Sequence, residues 1–292
     1  MAMDTLSPTA ILAGLPTTSL PRHIQCYTEV GSTMDVAREW VAEATNEQLP
    51  ALILADSQTA GRGRMRRSWV APPATALLFS LVLRPHWLTT TAAPALIWMA
   101  AVAVCEGIAA ETGLHPRLKW PNDVLLPVVS PVPAPLPIAV PVQAQSYTPA
   151  ILSDWHKIAG ILLEMSGTEH MVDWAIIGCG LNVSANPPAD ISVRYATTNL
   201  SASLGQPVAR LAILRSLLKR LDYWHLQLQQ GEIDHLFMTW RGLLMTLGHD
   251  VQIETASGIL TGYAEDVERS GALRIRDATG VVHIVSSGDV RL

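Results

Sequence analysis

The stretch QTAGRGRMRRSW, residues 58–69, concentrates positive charge in a chain that is acidic overall. Its last nine residues hold four arginines and two glycines, whereas the formal net charge of all 292 residues is −5. Guanidinium groups are planar donors that match carboxylates and phosphates, and glycines let a backbone approach a ligand closely. The stretch lacks the GxxxxGK[ST] spacing of a P-loop. It therefore indicates either another kind of small-anion site or an exposed loop with solvated arginines.

The bulk composition limits the class of protein. A hydrophobic content of 49% provides for a sizeable core, in one large domain or a large domain with a small companion. A pI near 6.0 argues against a broad basic face, so no nucleic-acid partner is expected. The three cysteines form no CxxC pair, which is typical of reduced thiols in a cytoplasmic protein.

Neither the start of the chain nor its apolar stretch indicates a membrane. The first twenty residues lack a basic segment before their short apolar run, so no secretory signal is expected. Residues 85–105 carry no charge, but threonines and two prolines interrupt them. This stretch fits a buried helix better than a membrane span.

Periodicity and turn residues predict strands and helices from residue 23 onward. The expected strands are HIQCYTEV (23–30), ALILADSQTAG (51–61), ALLFSLVLRP (76–85), RLKWPNDVLL (117–126, broken at PND), KIAGILLEM (157–165) and WAIIGCGLNV (174–183). The expected helices are GSTMDVAREWVAEA (31–44), AAPALIWMAAVAVCEGIAAET (92–112) and VARLAILRSLLKRLDYWHLQLQQG (208–231). After about residue 247, short alternating runs predict a meander that closes as a small barrel or sheet.

These patterns divide the chain into three parts and one insertion. We expect a flexible arm at 1–22, a catalytic domain at 23–245 and a small β-barrel domain at 246–292. Residues 124–153 carry no charge, and seven prolines lie between 127 and 149. Such a segment cannot form an ordinary helix or a central strand, so 127–153 is expected to be a mobile, extended insertion.

Three further clusters are ambiguous when each is taken alone. KWPND places Lys119, Asn122 and Asp123 at a strand break, which favours a local turn over a cleft. Lys157 at the start of an apolar strand is more often an exposed strand end, but if it points inward it must meet an anion. GCGLN, which ends at Asn182, is by default a tight turn.

Taken in order, the four patterns GRGRxxRxW, KWPND, KxAGxLxE and GxGxN resemble the biotin–protein ligase family (biotin–[acetyl-CoA-carboxylase] ligase). GST at 31–33, QTAG at 58–61 and the final β-rich segment fit the same family. The resemblance implies an α+β fold, class II synthetase-like, in which helices flank a mixed or antiparallel sheet, with a small C-terminal β-barrel domain. It also implies an ATP-dependent ligase that forms biotinyl-5′-AMP, releases pyrophosphate and transfers biotin to a carrier lysine.

By resemblance, the biotin-binding residues are Ser32, Thr33, Met34, Gln58, Arg62, Gly63, Arg64 and Lys157. The ATP-binding residues are Arg62, Arg64, Arg67, Trp69, Asn122 and Asn182. The catalytic residues are Lys157, Arg64 and Asp123, with Asp123 orienting the carrier lysine. Members of the family often carry Asn or Met after Ser-Thr, and a tight hairpin stands where this chain has its proline-rich insertion.

The resemblance further implies ATP and Mg²⁺ as cofactors and the biotin carrier domain of acetyl-CoA carboxylase, or of another carboxylase, as the partner. The nine histidines show no ligand spacing such as HExxH, so the protein ligands of the metal stay unknown. About 22 residues precede the first strand, too few for a winged DNA-binding unit, so a ligase without repressor function is expected. Both a monomer and a homodimer stay open.

Two other functions remain as alternatives. A lipoate or octanoate ligase or transferase would share the catalytic fold and also modify a carrier lysine. A biotin-binding sensor or regulator would keep the pocket but would not need Lys157.

Overall fold

A computed structural model of the chain describes residues 5–17, 19–127, 155–187, 196–255 and 258–291. Apart from Pro127, the expected insertion lies outside these ranges. The helices are α1 (Pro8–Leu12), α2 (Thr33–Glu43), α3 (Pro94–Thr112), α4 (Leu200–Leu204), α5 (Arg210–Gln229) and α6 (Ile233–Leu243). The strands are β1 (His23–Val30), β2 (Ala51–Gln58), β3 (Ala76–Leu83), β4 (Arg117–Lys119), β5 (Asp123–Pro127), β6 (Trp155–Gly167), β7 (Val172–Asn182), β8 (Asp250–Thr255), β9 (Gly258–Val267), β10 (Leu273–Arg276), β11 (Val282–Val285) and β12 (Asp289–Arg291).

Seven strands form the main sheet, in the order β1-β2-β3-β7-β6-β5-β4. Only β1 and β2 pair in parallel, and every other neighbouring pair is antiparallel. The expected mixed α+β architecture is therefore confirmed. The central strand β3 is buried along its whole length, as its apolar sequence predicts.

Helices cover both faces of this sheet. Helix α3 packs on β5, β6 and β7 and against α5 and α6, whereas α2 packs on β2, β3 and β7 with a separate apolar cluster. The segment Thr90–Thr112 is long and apolar enough to cross a membrane, but 72% of its most apolar window is buried inside the protein. It serves here as the core helix that its all-round apolar sequence indicates.

The predicted strand broken at Pro-Asn-Asp is a tight antiparallel hairpin. Lys119 of β4 pairs with Asp123 of β5, and the turn between them holds Trp120 and Asn122. Strand β5 continues the pairing to β6, where Asp123 lies opposite Gly160. The hairpin therefore carries its polar residues to the edge of the two long central strands.

The last five strands form a second sheet, in the order β11-β10-β9-β8-β12, with antiparallel pairing throughout. This unit is the small C-terminal β domain that the alternating runs after residue 247 predict as a barrel or sheet. It contacts the main domain where Trp120 Nε1 donates a hydrogen bond to the Gly271 carbonyl oxygen at 2.8 Å.

Of the expected loose arm at 1–22, the described residues 5–17 and 19–22 pack on the protein instead. Leu6, Ile11 and Leu20 are buried, and the backbone and hydroxyl of Ser19 donate to Asp222 Oδ1 on α5 at 2.7 and 2.6 Å. The prediction gave too little weight to three apolar side chains, whose burial together with these hydrogen bonds offsets the entropy of ordering a short segment.

Candidate active site

One cavity of about 480 Å³ lies over the face of the main sheet that carries α2, and it reaches the C-terminal sheet. The Arg/Gly stretch, the β4–β5 turn and the strands β6 and β7 all contribute to its lining. Every residue predicted for the site lines this cavity: Ser32, Thr33, Met34, Gln58, Arg62, Gly63, Arg64, Arg67, Trp69, Asn122, Asp123, Lys157 and Asn182. The fold therefore brings together four patterns that lie far apart in the sequence.

A polar cluster surrounds the beginning of α2. Ser32 caps the helix, and its Oγ accepts a hydrogen bond from the Met34 amide at 3.3 Å. Gln58 Oε1 accepts from the amide and the hydroxyl of Thr33 at 2.7 and 3.1 Å, and Ser80 Oγ donates to Thr33 Oγ1 at 2.9 Å. Ser32 and Thr33 are buried, so this end of the cavity presents fixed polar groups on an apolar floor.

The Arg/Gly stretch folds back on itself at the cavity mouth. Trp69 N donates to the Gly61 carbonyl oxygen at 2.9 Å, and Gly63 N donates to the Arg67 carbonyl oxygen at 2.7 Å. A Cβ on Gly61 would lie 2.3 Å from the Trp69 carbonyl oxygen, so only glycine allows the two ends of the loop to approach. Met65 stands at the tip with a φ of 54° and an exposed side chain.

Arg62 holds one side of this loop to the main domain through acidic partners. Arg62 Nη2 lies 2.8 Å from Asp35 Oδ1 on α2 and 3.5 Å from Glu164 Oε1 on β6. Arg38 pairs with the same two carboxylates. These contacts are ionic, since no hydrogen bond from the buried Nη2 or Nε of Arg62 is aligned among the described residues.

Two further arginines join the loop to the hairpin and to the C-terminal sheet. Arg64 Nη1 donates to Asn122 Oδ1 at 3.2 Å and to the Gly288 carbonyl oxygen at 3.5 Å. Arg67 Nη2 lies 2.5 Å from Asp289 Oδ2. Burial lowers the pKa of Arg64, which nevertheless keeps its positive charge, because an arginine pKa lies far above neutrality.

A lysine–aspartate–lysine cluster lies below the loop. Lys157 Nζ is 2.6 Å from Asp123 Oδ1, and Lys119 Nζ is 3.9 Å from Asp123 Oδ2. Lys157 thus points inward and meets an anion, which is the alternative to an exposed strand end. Burial lowers the pKa of Lys119 to about 8, although the nearby carboxylate of Asp123 acts in the opposite direction. The cluster therefore places two ammonium groups around the carboxylate of Asp123.

Neighbouring chain segments hold Lys157 in place. Its amide donates to the Ala196 carbonyl oxygen at 2.8 Å, and its carbonyl accepts from the Thr198 amide at 3.0 Å. Asn182 Nδ2 donates to the Thr198 carbonyl oxygen at 3.1 Å, whereas the buried Asn182 Oδ1 has no hydrogen-bond partner among the described residues. The described contact of Asn182 therefore supports the segment that positions Lys157.

Trp69 lies on the sheet above two glycines that face each other on β6 and β7. A Cβ on Gly180 would lie 2.4 Å from Trp69 Cε2, and one on Gly160 would lie 3.2 Å from Trp69 Cζ3. Gly180 and its neighbours form part of β7, as the strand predicted at 174–183 requires, and not the tight turn that GCGLN alone would favour. Lys157 Nζ is 5.6 Å from the centre of the Trp69 ring. The half-buried indole thus has one face on the sheet, and its other face borders the cavity.

The residues of the site that were not predicted include four that contact its arginines: Asp35, Glu164, Gly288 and Asp289. Glu164 closes the KxAGxLxE pattern, and a carboxylate within an apolar strand is a signal that could have identified it. Asp289 reaches the cavity from the far end of the chain, and no local pattern relates it to Arg67.

The described residues contain no group of three or more His, Cys, Asp or Glu side chains that could hold a metal ion. The cysteines are poor nucleophiles as well, because burial raises the pKa of Cys26 to about 11 and that of Cys179 to about 12. The chemistry available in the cavity is therefore that of cationic side chains, one lysine-paired carboxylate and an aromatic surface.

Comparisons with known proteins agree with this geometry. The model of the biotin/lipoate A/B protein ligase family matches residues 29–182, and that of the biotin protein ligase C-terminal domain matches residues 246–292. A biotin–[acetyl-CoA-carboxylase] ligase of Paracoccus denitrificans is 31% identical over 234 residues, 79% of this chain and 85% of that protein. The bifunctional ligase/repressor BirA of Bacillus subtilis is 28% identical over 98% of this chain and 79% of its own length.

A solved structure has the same fold. It is a biotin protein ligase from Aquifex aeolicus in complex with biotin and ATP, 24% identical, with a TM-score of 0.69 over 93% of this chain and 98% of that one.

Proposed function

Because this chain belongs to the biotin/lipoate A/B protein ligase family, we infer that it is an ATP-dependent biotin–protein ligase. The observation that carries this inference is that the C-terminal sheet contributes residues to the lining of the cavity. That sheet matches the biotin protein ligase C-terminal domain, and its Asp289 pairs with Arg67 of the Arg/Gly loop. A division into a catalytic domain at 23–245 and a C-terminal domain at 246–292 is part of the same proposal.

In the first half-reaction a biotin carboxylate oxygen attacks the α-phosphorus of ATP. The bond from that phosphorus to the bridging oxygen breaks, pyrophosphate leaves, and biotinyl-5′-AMP forms. Two anions must approach each other, so fixed cations lower the barrier most where the new negative charge develops. Lys157 and Arg64 are the cations that we assign to this task, and both line the cavity.

Lys157 is suited to meet an incoming anion because it is already ordered. In the structure its ammonium is balanced by Asp123 at 2.6 Å, and its backbone is held by residues 196 and 198. Turning from Asp123 toward a phosphoryl or carboxylate oxygen exchanges one ion pair for another. Lys119 stays 3.9 Å from Asp123, so that carboxylate keeps a cation nearby during the exchange.

In the second half-reaction the amine of the carrier lysine attacks the acyl carbon of the adenylate. The bond from that carbon to the phosphate oxygen breaks, AMP leaves, and the amine gives up a proton. Asp123 is the carboxylate that lines the cavity beside Lys157, and we assign it to orient the amine and accept this proton.

The remaining roles follow the two ends of the cavity. The cluster of Ser32, Thr33 and Gln58 offers the hydroxyl and amide groups that would hold the ureido ring, with Met34 as an apolar wall. The loop residues Arg62, Gly63 and Arg64 would close over biotin and the adenylate. Arg67, Trp69, Asn122 and Asn182 make up the nucleotide end, where the open face of Trp69 is placed to stack on adenine.

Magnesium would enter with the nucleotide as Mg²⁺–ATP. Mg²⁺ commonly keeps several waters and takes one or two protein carboxylates beside substrate phosphates. The described residues, which hold no cluster of three acidic or imidazole ligands, are compatible with such a loosely held ion. The triphosphate oxygens would then be its main ligands.

The expected acceptor is the biotin carrier domain of acetyl-CoA carboxylase, as named for the Paracoccus relative. We place the reaction in the cytoplasm, since the cysteines Cys26, Cys105 and Cys179 are free thiols. Size-exclusion chromatography of the purified chain would distinguish a monomer from a homodimer.

The test incubates the purified chain with ATP, Mg²⁺, a carrier domain and either biotin or lipoate, and follows the carrier by mass spectrometry. We expect an added biotinyl group and no added lipoyl group. Adenylate formation from lipoate alone would assign the chain to the lipoate branch of the family. Lys157→Ala should nearly abolish adenylate formation, whereas Lys219→Ala, at an exposed position of α5, should not.

A further inference from the structure

Strand β7 carries two glycines that lie on the same face of the sheet. Gly178 and Gly180 are two residues apart, so their missing side chains would both point into the cavity that they line. Gly178 pairs with Leu162, and Gly180 pairs with Gly160 on β6. This part of the floor is bare backbone.

Each glycine is covered by a different side chain. A Cβ on Gly178 would lie 2.6 Å from Met34 Sδ and 3.1 Å from Met34 Cγ. A Cβ on Gly180 would lie 2.4 Å from Trp69 Cε2 and 2.6 Å from Trp69 Nε1. Contacts this short cannot persist. Any larger residue at position 178 or 180 must therefore displace Met34 or Trp69 from the sheet.

Both side chains line the cavity. Met34 is 3% exposed and lies in the first turn of α2, where its amide donates to Ser32 Oγ. Trp69 is tied to Gly61 through its backbone amide, and its ring already rests on the sheet. The open volume that both side chains border is the cavity, so displacement into it would take volume from the ligand.

Met34 and Trp69 adjoin different groups of lining residues. Met34 adjoins the cluster of Thr33 and Gln58, whereas Trp69 adjoins Lys157 and the turn that carries Arg67. We propose that Gly178 and Gly180 are specificity-determining residues: Gly178 sets the depth of the biotin end through Met34, and Gly180 sets the depth of the nucleotide end through Trp69. This inference rests on the proposed function, since it assigns one end of the cavity to biotin and the other to ATP.

The experiment compares Gly178→Ala with Gly180→Ala by steady-state kinetics of adenylate formation. Gly178→Ala should raise KM for biotin about tenfold, the change that corresponds to a loss of about 1.4 kcal/mol of binding, and leave KM for ATP unchanged. Gly180→Ala should raise KM for ATP and leave KM for biotin unchanged. Each variant is thus the matched control for the other. Gly242→Ala, where an added Cβ meets no atom within 4 Å, controls for a glycine change as such.

A second set of variants separates displacement from damage to the fold. Met34→Ala combined with Gly178→Ala should return KM for biotin toward the value of Met34→Ala alone, because the colliding side chain is gone. If Gly180→Ala does not fold, Gly160→Ala tests the same end with a milder contact of 3.2 Å. Equal rises in both KM values, or no rescue in the double variant, would overturn the proposal. An unsubstituted chain that makes no biotinyl adenylate would instead contradict the proposed function.

Discussion

The side chains of Lys157 on β6 and Asp123 on β5 meet across neighbouring strands, with 2.6 Å between Lys157 Nζ and Asp123 Oδ1, and Lys119 approaches the same carboxylate from β4. The carboxylate of Asp123 therefore lies between two ammonium groups. Burial disfavours the charged form of Lys119, and an anionic ligand bound beside it would favour that form.

The burial of Lys119 makes stability depend on pH in a predictable direction. Lys119 is 5% exposed, and burial lowers its pKa from 10.5 to about 8. Between those values the unfolded chain binds more protons than the folded one, so the free energy of unfolding rises with pH through this window. Below about pH 8 both states are protonated, and the full cost of the buried charge is present.

Lys119→Met should therefore stabilise the protein most at neutral pH. At about 1.4 kcal/mol for each tenfold change in proton affinity, the gain has an upper bound of about 3.5 kcal/mol, and it should shrink as pH rises from about 8 to 10.5. Urea unfolding across this range measures it, with Lys219→Met at an exposed site as the control. A gain that stays constant with pH would show that the ammonium is not destabilised by burial.

Arg64 joins the loop to the hairpin turn through Asn122 and to the C-terminal sheet through the carbonyl of Gly288. Arg64→Gly should release biotinyl-AMP, because the loop loses the contacts that hold it over the cavity. The measurement is biotin labelling of a bystander protein, where we expect an increase of at least about tenfold for a loss of 1.4 kcal/mol. Arg269→Gly on a surface turn should leave bystander labelling low. An Arg64 variant that keeps its intermediate would remove the loop from this role.

The ion pair between Arg67 and Asp289 links the conformation of the Arg/Gly loop to the C-terminal sheet. Its atoms are 2.5 Å apart, and Asp289 is buried. Asp289→Asn removes the charge that holds Arg67, which should lower the free energy of opening the loop by about 1 kcal/mol. Trypsin should then cleave the loop arginines roughly fivefold faster. Asp250→Asn, at an exposed position of the same sheet, is the control. Unchanged cleavage would mean that the loop is held by its other contacts.

The sequence was sufficient to predict the strands and helices that carry the site, because their periodicity is clear. The strand β1, the apolar strands β2 and β3 and the cap at Ser32 all lie where they were expected. The resemblance also placed thirteen residues in one cavity, from Ser32 to Asn182. Whether each plays the role assigned to it stays a prediction.

Long-range contacts were beyond the reach of local patterns. Nothing near Asp289 in the sequence indicates Arg67, and nothing near Gly180 indicates that an indole lies on it. The N-terminal segment was missed for the same reason, since Asp222 lies more than 200 residues from the serine that it binds. The two residues of such a pair come close only in the folded chain, where the sheet and its helices fix the distance between them.

The flanks of the proline-rich insertion suggest a final experiment. The insertion itself lies outside the described residues, but Pro127 of β5 pairs directly with Trp155 of β6. Two residues that face each other on antiparallel strands can be joined by a two-residue turn such as Asn-Gly. Replacing residues 128–154 by Asn-Gly should therefore complete a hairpin without moving Asp123 or Lys157.

We expect this variant to form biotinyl adenylate at the rate of the full chain and to unfold at a similar temperature. The loop-closure entropy that the shorter connection recovers is small, because that cost grows only with the logarithm of length. Transfer to the carrier domain, measured separately, would report whether the insertion contacts the acceptor. A loss of adenylate formation would show that residues 128–154 belong to the active site.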